Sequence, residues 1–362
     1  FKTPPEDSTG VAHIVEHCTL SGSRKYKTKE PFMDMVASSV QTFLNAMTYP
    51  DKTLYPISSR NDKDFRQLMD VYLDAVFYPE MRENEKIFYQ EGWHPEIEDD
   101  RLIANGVVFN EMKGVYSDPA NRVSDMVREK LHPSGTYSHD SGGNPDHIPD
   151  LTFDDFLNFH SRYYHPSNSY IFLAGDMDFE ERLAYLDEAY LSEFDAINPK
   201  SEIVEHSMYD SPKEFTGTYD LSEDEDPEGK SYFALSFSSK VDPTPEDLLL
   251  RSFFQELLVE SENGLIKKRL RDAGIGEDVY SELSASNTWD FTIYCYNAKR
   301  ERYEDFRRIV METLEDVAEN GVDEEVLKAT LEKFEFTVRR GGGAHADLLQ
   351  YISALNTWLY GQ

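Results

Sequence analysis

Cysteine is nearly missing from this chain: Cys18 and Cys295 are the 2 present in 362 residues. A disulfide framework is therefore excluded, and stability has to come from an apolar core. Long hydrophobic runs are missing as well. No apolar stretch approaches the roughly 18 residues of a membrane span, and no signal peptide opens the chain. Basic residues are scarce, 36 Lys and Arg against 69 Asp and Glu, for a formal charge of −33. Such a surface repels nucleic acid and anionic membranes, so neither is expected as a partner. It attracts basic peptides, although solubility or adaptation to high salt is the simpler account of the same excess. What is present in quantity is apolar and aromatic, 39% and 13% of the residues, enough for packed interiors. The length exceeds one typical core, so two domains are expected.

The chain opens on Phe1-Lys2-Thr3-Pro4-Pro5 and not on methionine, in what reads as the end of a strand. That is the pattern of an internal fragment, and it leaves the compartment open: soluble, cytoplasmic if bacterial, an organelle matrix if eukaryotic. Asp7-Ser8-Thr9-Gly10 supplies cap residues ahead of a helix over 11–20. Pro31 suits the first residue of a helix over 32–40. Residues 40–48 and 53–58 read as a hairpin. Helical spacing covers 62–77, with Tyr78-Pro79 as its stop, then 83–93, 106–115, 125–131, 153–163 and 178–194. Residues 169–174 read as a buried strand. The polar stretch 198–214, broken by Pro199 and Pro212, separates a first domain, 1–198, from a second, 214–362, with 199–213 as linker. The second half repeats the plan. Strands are expected at 232–238, 279–285 and 288–296, and helices at 246–260, 265–273, 302–318 and from Asp323 along the stripe Leu327, Leu331, Phe334, Val338. Gly341 to Gly343 break that helix before a last one over 347–359. Sheet hairpins with flanking helices in both halves make the fold α+β, two tandem units. The isolated histidines His94, His206 and His345 read as surface or satisfied core residues, and Cys18 as a small core residue.

The informative stretch is Gly10 to Leu20, which contains His13-Ile14-Val15-Glu16-His17, an H-x-x-E-H arrangement. On a helix His13 and His17 fall about 40° apart, separated by ~6 Å of rise, so their imidazoles can meet at one point. Glu16 lies on the same side, about 60° from His13. Two imidazoles and an adjacent carboxylate are what a catalytic zinc site asks of one helix: two ligands and a general base. The order is that of the inverzincins. A chance match is the alternative, and the motif by itself leaves it open. Corresponding residues of the second half, around 253–260, include no histidine.

A catalytic zinc needs a third protein ligand. Spacing cannot choose it among 69 acidic residues. Glu111 stands out by its setting in GVVFNEMKG, where an apolar helix face carries a carboxylate expected to be partly buried. A buried acid is paired, either with a cation or in an ordinary Glu–Lys or Glu–Arg pair, and the residues alone favour the latter.

The stretches STGVAHIVEH, LSGSRKYKTKEPF, TFLNAMTYPDKTLYP, VYLDAVFYP, QEGW, GVVFNEMKGVYSDP, SGGNPDHIPDLT and YYHPSNSYIFLAGD cover most of residues 1–175. Together they resemble the first half of presequence-protease-type peptidases of the pitrilysin/insulin-degrading-enzyme family. The later part resembles a second, non-catalytic domain of that family more loosely. The resemblance implies one Zn2+ per chain on His13, His17 and Glu111, with Glu16 as general base. It implies two tandem pitrilysin-type domains forming half of a peptidase chamber, closed by a C-terminal half of the same protein. It makes Asn45, Ala46, Met47 and Thr48 an edge strand that takes in unstructured peptide as an added strand, and Phe32 and Met33 the lining of a side-chain pocket. Wider-family members carry a further acid two helical turns before the third ligand; Ala104 stands there, so no fourth acid is expected.

The expected activity is zinc-dependent endopeptidase cleavage of short unstructured peptides. Two other classes stay open: a non-catalytic or partner-dependent subunit of a processing assembly, and a peptide-binding module with a structural metal. The retained Glu16 argues against the last, since a structural site needs no base.

Overall fold

The computed structural model describes residues 1–28, 31–205, 207–240, 244–285, 288–340, 348–352 and 355. His206, His345, the glycine break at 341–343 and most of the expected last helix lie outside them; residues 348–352 are helical. The chain forms two compact units, Phe1–Ser117 with His132–Ser207, and Asp118–Leu131 with Met208–Gln362. Among the described residues no helix is long and apolar enough to cross a membrane.

The first unit is built round α1 (Val11–Thr19), whose Ala12, Ile14, Val15 and Cys18 are fully buried. Burying each of the branched pair contributes about 1.5–3 kcal/mol. Helices α2 (Pro31–Ser38), α3 (Asp62–Phe77), α4 (Glu85–Glu91) and α5 (Val107–Ser117) follow in this unit. Of the core, α3 supplies Met69, Leu73, Val76 and Phe77, α4 supplies Phe88, and α5 supplies Val108, Phe109 and Met112. Asn61 caps α3 by accepting from the amides of Lys63 and Asp64.

Strands β1 (Gln41–Leu44), β2 (Met47–Thr48), β3 (Thr53–Leu54) and β4 (Ile57–Ser59) form the expected hairpin as two short ladders, β1 with β4 and β2 with β3. A second hairpin, β5 (His94–Glu98) and β6 (Arg101–Asn105), lies where the sequence showed no strand signal. It carries exposed Ile97 and Leu102 opposite one another, so neither face has the alternation that marks a half-buried strand. Its base is closed at Gly106, where φ is +151° and an added Cβ would lie 2.2 Å from the Gly92 carbonyl oxygen.

The expected strand over 169–174 does not form among the described residues. Tyr170, Ile171 and Phe172 are exposed there, so the apolar run lacks the neighbouring strands that would bury it. Pro119 opens α6 (Pro119–Leu131), which belongs with the second unit. It packs on the first strand of the later sheet. Helices α7 (Phe153–Tyr163), capped by Thr152, and α8 (Phe179–Ala189), capped by Asp178, complete the first unit.

The second unit holds a three-stranded antiparallel sheet. β7 (Ser231–Ser239), β8 (Asp278–Ala285) and β9 (Trp289–Ala298) run in the order β7-β9-β8. α9 (Pro245–Gln255), continued by a π turn over Glu256–Glu260, then α10 (Leu265–Asp272) and α11 (Tyr303–Asn320) flank it. Phe233, Ile293, Ile266, Leu270, Phe306 and Val310 make the core. α12 (Glu324–Arg340) starts at Asp323, whose side chain accepts from the amides of Glu325 and Val326.

Candidate metal centre

One side of α1 is packed into the core. The other turns His13, Glu16 and His17 to a cavity of about 420 Å³, lined also by Asn45, Ala46, Met47, Thr48, Glu111 and Gly142. Of the expected cap residues, no side chain of Asp7, Ser8 or Thr9 caps α1. Gly10 stands at the N-cap with φ 70°, and an added Cβ there would lie 2.7 Å from the Gly142 carbonyl oxygen. Thr9 instead turns onto Asp7 Oδ1, through its amide at 2.9 Å and its hydroxyl at 2.6 Å. The close approach of loop 140–144 to the helix start excludes a side chain at position 10.

His13 Nε2 and His17 Nε2 each lie 3.8 Å from Glu111 Oε2. His13, His17 and Glu111 are the one group of three such residues among those described that could hold a metal, with one donor atom from each within 4.8 Å of the others. A tetrahedral zinc with legs of 2.0–2.2 Å sets its donors about 3.4 Å apart. The two histidine–carboxylate distances exceed that by about 0.4 Å and the widest donor separation by up to about 1.4 Å, a closure within reach of side-chain rotation, and two imidazoles with one carboxylate are a donor set of catalytic zinc sites.

The outer nitrogens are also held. His13 Nδ1 is 3.0 Å from the Gly142 carbonyl oxygen. A carbonyl only accepts, so Nδ1 carries the proton and Nε2 presents its lone pair to the cavity. His17 Nδ1 faces Glu91 Oε2 at 3.5 Å. Burial opposes charge on His17, but Glu91, Glu16 and Glu111 outweigh it and raise its pKa above the ordinary histidine value. A site built this way favours positive charge. Glu16 is buried at 8% exposure, and its Oε2 accepts from the Thr48 hydroxyl at 2.7 Å. Asn45 is tied in as well, its carbonyl accepting from the Tyr72 hydroxyl at 3.2 Å.

Glu111 differs from expectation in one respect: its side chain is 50% exposed. It stands on the cavity-facing side of α5 while Val108, Phe109 and Met112 take the buried side. No lysine or arginine among the described residues pairs with it, which removes the Glu–Lys and Glu–Arg alternative. An acid does stand near the centre, at another position. Ala104 lies on β6, outside α5, and the acid beside His17 is Glu91, at the end of α4. Spacing along one helix could not find it, because the hairpin β5–β6 separates it from Glu111. Gly142 was equally hidden, since its contribution is a backbone carbonyl. Asn45, Ala46 and Thr48 border the cavity, on and just before β2, which pairs on one side with β3. Phe32 and Met33 do not line it: Phe32 packs beside Met35, Leu68 and Tyr72, and Met33 is exposed. His94 is satisfied on β5, its Nδ1 2.6 Å from the Tyr89 carbonyl oxygen.

Comparison with known proteins places this architecture. Residues 3–130 match the family model described as Insulinase (Peptidase family M16), and residues 150–334 match the Peptidase M16 inactive domain. Protein HypA of Clostridium perfringens is 47% identical over 99% of this chain and 38% of its own length. Presequence protease 1, chloroplastic/mitochondrial, of Arabidopsis thaliana is 38% identical over 99% of the chain and 34% of its own length. The chain thus spans little more than a third of these relatives. A protease from Helicobacter pylori shares the fold, with a TM-score of 0.69 at 17% identity over 93% of this chain and 77% of that one. The H-x-x-E-H helix falls inside the first matched region and the sheet β7-β9-β8 inside the second, and the chain belongs to peptidase family M16, with the presequence proteases among its relatives.

Proposed function

We propose that this chain is the zinc-bearing part of a metalloendopeptidase that cleaves short, unstructured peptides, presequence-like segments or other oligopeptides. The observation that carries the reading is the convergence of His13, His17 and Glu111 beside a buried Glu16. A zinc ion held by the three would supply Lewis acidity to the scissile carbonyl and make a water more acidic. Glu16 takes the proton of the attacking water. Its Oε2 is engaged by Thr48, so Oε1 is the oxygen that receives the proton and later delivers it to the leaving amine. The peptide adds as a strand beside Asn45 to Thr48, held by backbone pairing that reads little sequence, which suits broad specificity. His13 and His17 keep their donor atoms aimed inward through Gly142 and Glu91.

The chain spans about a third of its curated relatives. We therefore assign closure of the chamber, and part of the stabilisation of the developing oxyanion, to a further half of the protein. Losing such donors costs about 10²–10³ in rate, so residues 1–362 alone are expected to turn over slowly. The test combines metal analysis with hydrolysis of a quenched fluorescent peptide by the parent and by Glu16→Gln. The parent holds one zinc and cleaves in a chelator-sensitive way; the variant holds zinc and loses ~10²–10⁴-fold of the rate. A variant with zinc and the parent's rate removes Glu16 as base. A parent without zinc removes the metal reading.

A further inference from the structure

Loop 140–144 stands between the two helices that bring the metal donors together, and its hydrogen bonds converge on Asp140. Asp140 Oδ2 accepts from the Tyr116 hydroxyl at 2.6 Å, and Tyr116 lies on α5, the helix that carries Glu111. Asp140 Oδ1 accepts from the Gly142 amide at 2.9 Å. The carbonyl of that same Gly142 takes the proton of His13 Nδ1 at 3.0 Å. The Asp140 amide in turn donates to Ser8 Oγ at 3.1 Å, and the Asn144 amide to the Ser8 carbonyl at 2.9 Å, which ties both ends of the loop to the residues just before α1.

Resting on the metal reading above, we propose that Asp140 is a positioning residue for the metal centre. One oxygen fixes the loop carbonyl that sets the His13 tautomer, and the other ties that loop to the helix presenting Glu111.

The chemistry is specific. A histidine binds metal through Nε2 only when the proton sits on Nδ1, and the partner of Nδ1 decides this. In loop 140–144 that partner is a backbone carbonyl, so no side-chain substitution at Gly142 removes it directly. What can be removed is the side chain that aims it. A purely structural role for Asp140, as a loop anchor, predicts a different result: lower stability with an unchanged metal site.

The experiment measures Zn2+ affinity by chelator competition, the visible absorption of the Co2+-substituted protein, and the denaturant midpoint. It uses the 362-residue chain as parent, Asp140→Ala, Asp140→Asn and Tyr116→Phe. Asp140→Ala is expected to weaken Zn2+ binding about 10–100-fold, the scale for lost outer partners of metal ligands, and to alter the Co2+ bands. Asp140→Asn restores most of both, because its Oδ1 still accepts from the Gly142 amide and its Nδ2 can donate to the Tyr116 oxygen. Tyr116→Phe gives a smaller loss of the same kind. Parent-like Zn2+ affinity and Co2+ bands in Asp140→Ala overturn the proposal, whatever the stability. If Asp140→Ala does not fold, Tyr116→Phe decides, and parent-like metal binding in it overturns the proposal. His13→Ala separates the two readings: loss of Zn2+ there with none in Asp140→Ala sinks the positioning role alone. A parent that binds no Zn2+ sinks both.

Discussion

The Thr48 hydroxyl donates a 2.7 Å hydrogen bond to Glu16 Oε2, joining the strand that borders the cavity to the carboxylate beside the histidines. The two residues are far apart in sequence, and the contact makes the cavity-bordering strand and the proposed base one unit.

Replacing that donor tests the unit. Thr48→Val keeps the shape of the side chain and removes the hydroxyl. A hydrogen bond to a charged group contributes about 1.5–3 kcal/mol, so kcat on a quenched peptide should fall roughly tenfold or more. Zinc content should stay at the parent level, because Thr48 contributes no donor atom. Steady-state rates with metal analysis on the same sample decide it; an unchanged kcat would show that the bond does not orient the base.

Glu111 and Glu91 should differ in degree. Glu111→Gln exchanges an anionic donor for a neutral amide oxygen and should weaken Zn2+ binding most. Glu91→Gln leaves all three donors and alters only the partner of His17 Nδ1, for a loss of about 10–100-fold. Chelator competition ranks them. Equal affinity in Glu111→Gln and parent would mean that another acid completes the site.

Acid should destabilise the first unit through His160. This residue is 1% exposed and held through Nε2 by the Val76 carbonyl at 3.1 Å, and its Nδ1 has no hydrogen-bond partner among the described residues. Burial, helped by the charge of Arg82, lowers its pKa from 6.5 to about 3. The unfolded chain therefore binds a proton that the folded one refuses between those values. Stability falls with pH across that window, by up to about 1.4 kcal/mol per pH unit for one proton. Asp70 acts lower. Lys25, Tyr185, Tyr190 and Tyr26 outweigh its burial and bring its carboxyl from 3.8 to about 2, so its contribution is lost as pH falls through that range. His160→Gln can still donate to Val76 and should flatten the denaturant midpoint between pH 6.5 and 4. An undiminished slope would assign the acid limb to other groups.

Salt should slow capture of basic peptides. Glu16, Glu91 and Glu111 surround the centre of a chain with a formal charge of −33. Screening shortens the reach of that field from about 10 Å at 0.1 M to 3 Å at 1 M. kcat/KM for a basic peptide should drop over this range, and that for a neutral peptide should not. A flat dependence for both would leave solubility or salt adaptation as the account of the acidity.

The legible part of this protein is local. The 3.6-residue period marked α3, α7 and the start of α8; their caps, Asn61, Thr152 and Asp178, came from the structure. The H-x-x-E-H spacing placed His13, Glu16 and His17 on one side of α1, because one helical turn fixes the relation of those side chains. Glu111 was reached through resemblance to a family and not through spacing. Tertiary packing decided the remainder. Glu91 meets His17 only because the hairpin β5–β6 folds out and brings the end of α4 next to α5. Gly142 reaches His13 only because a loop 129 positions away lies against Gly10, where no Cβ fits. The apolar run 169–174 fails as a strand because burial depends on neighbours, which a period does not encode. Contacts within a helical turn follow from backbone geometry; contacts between segments follow from how the whole chain excludes water, and no short window of sequence contains that.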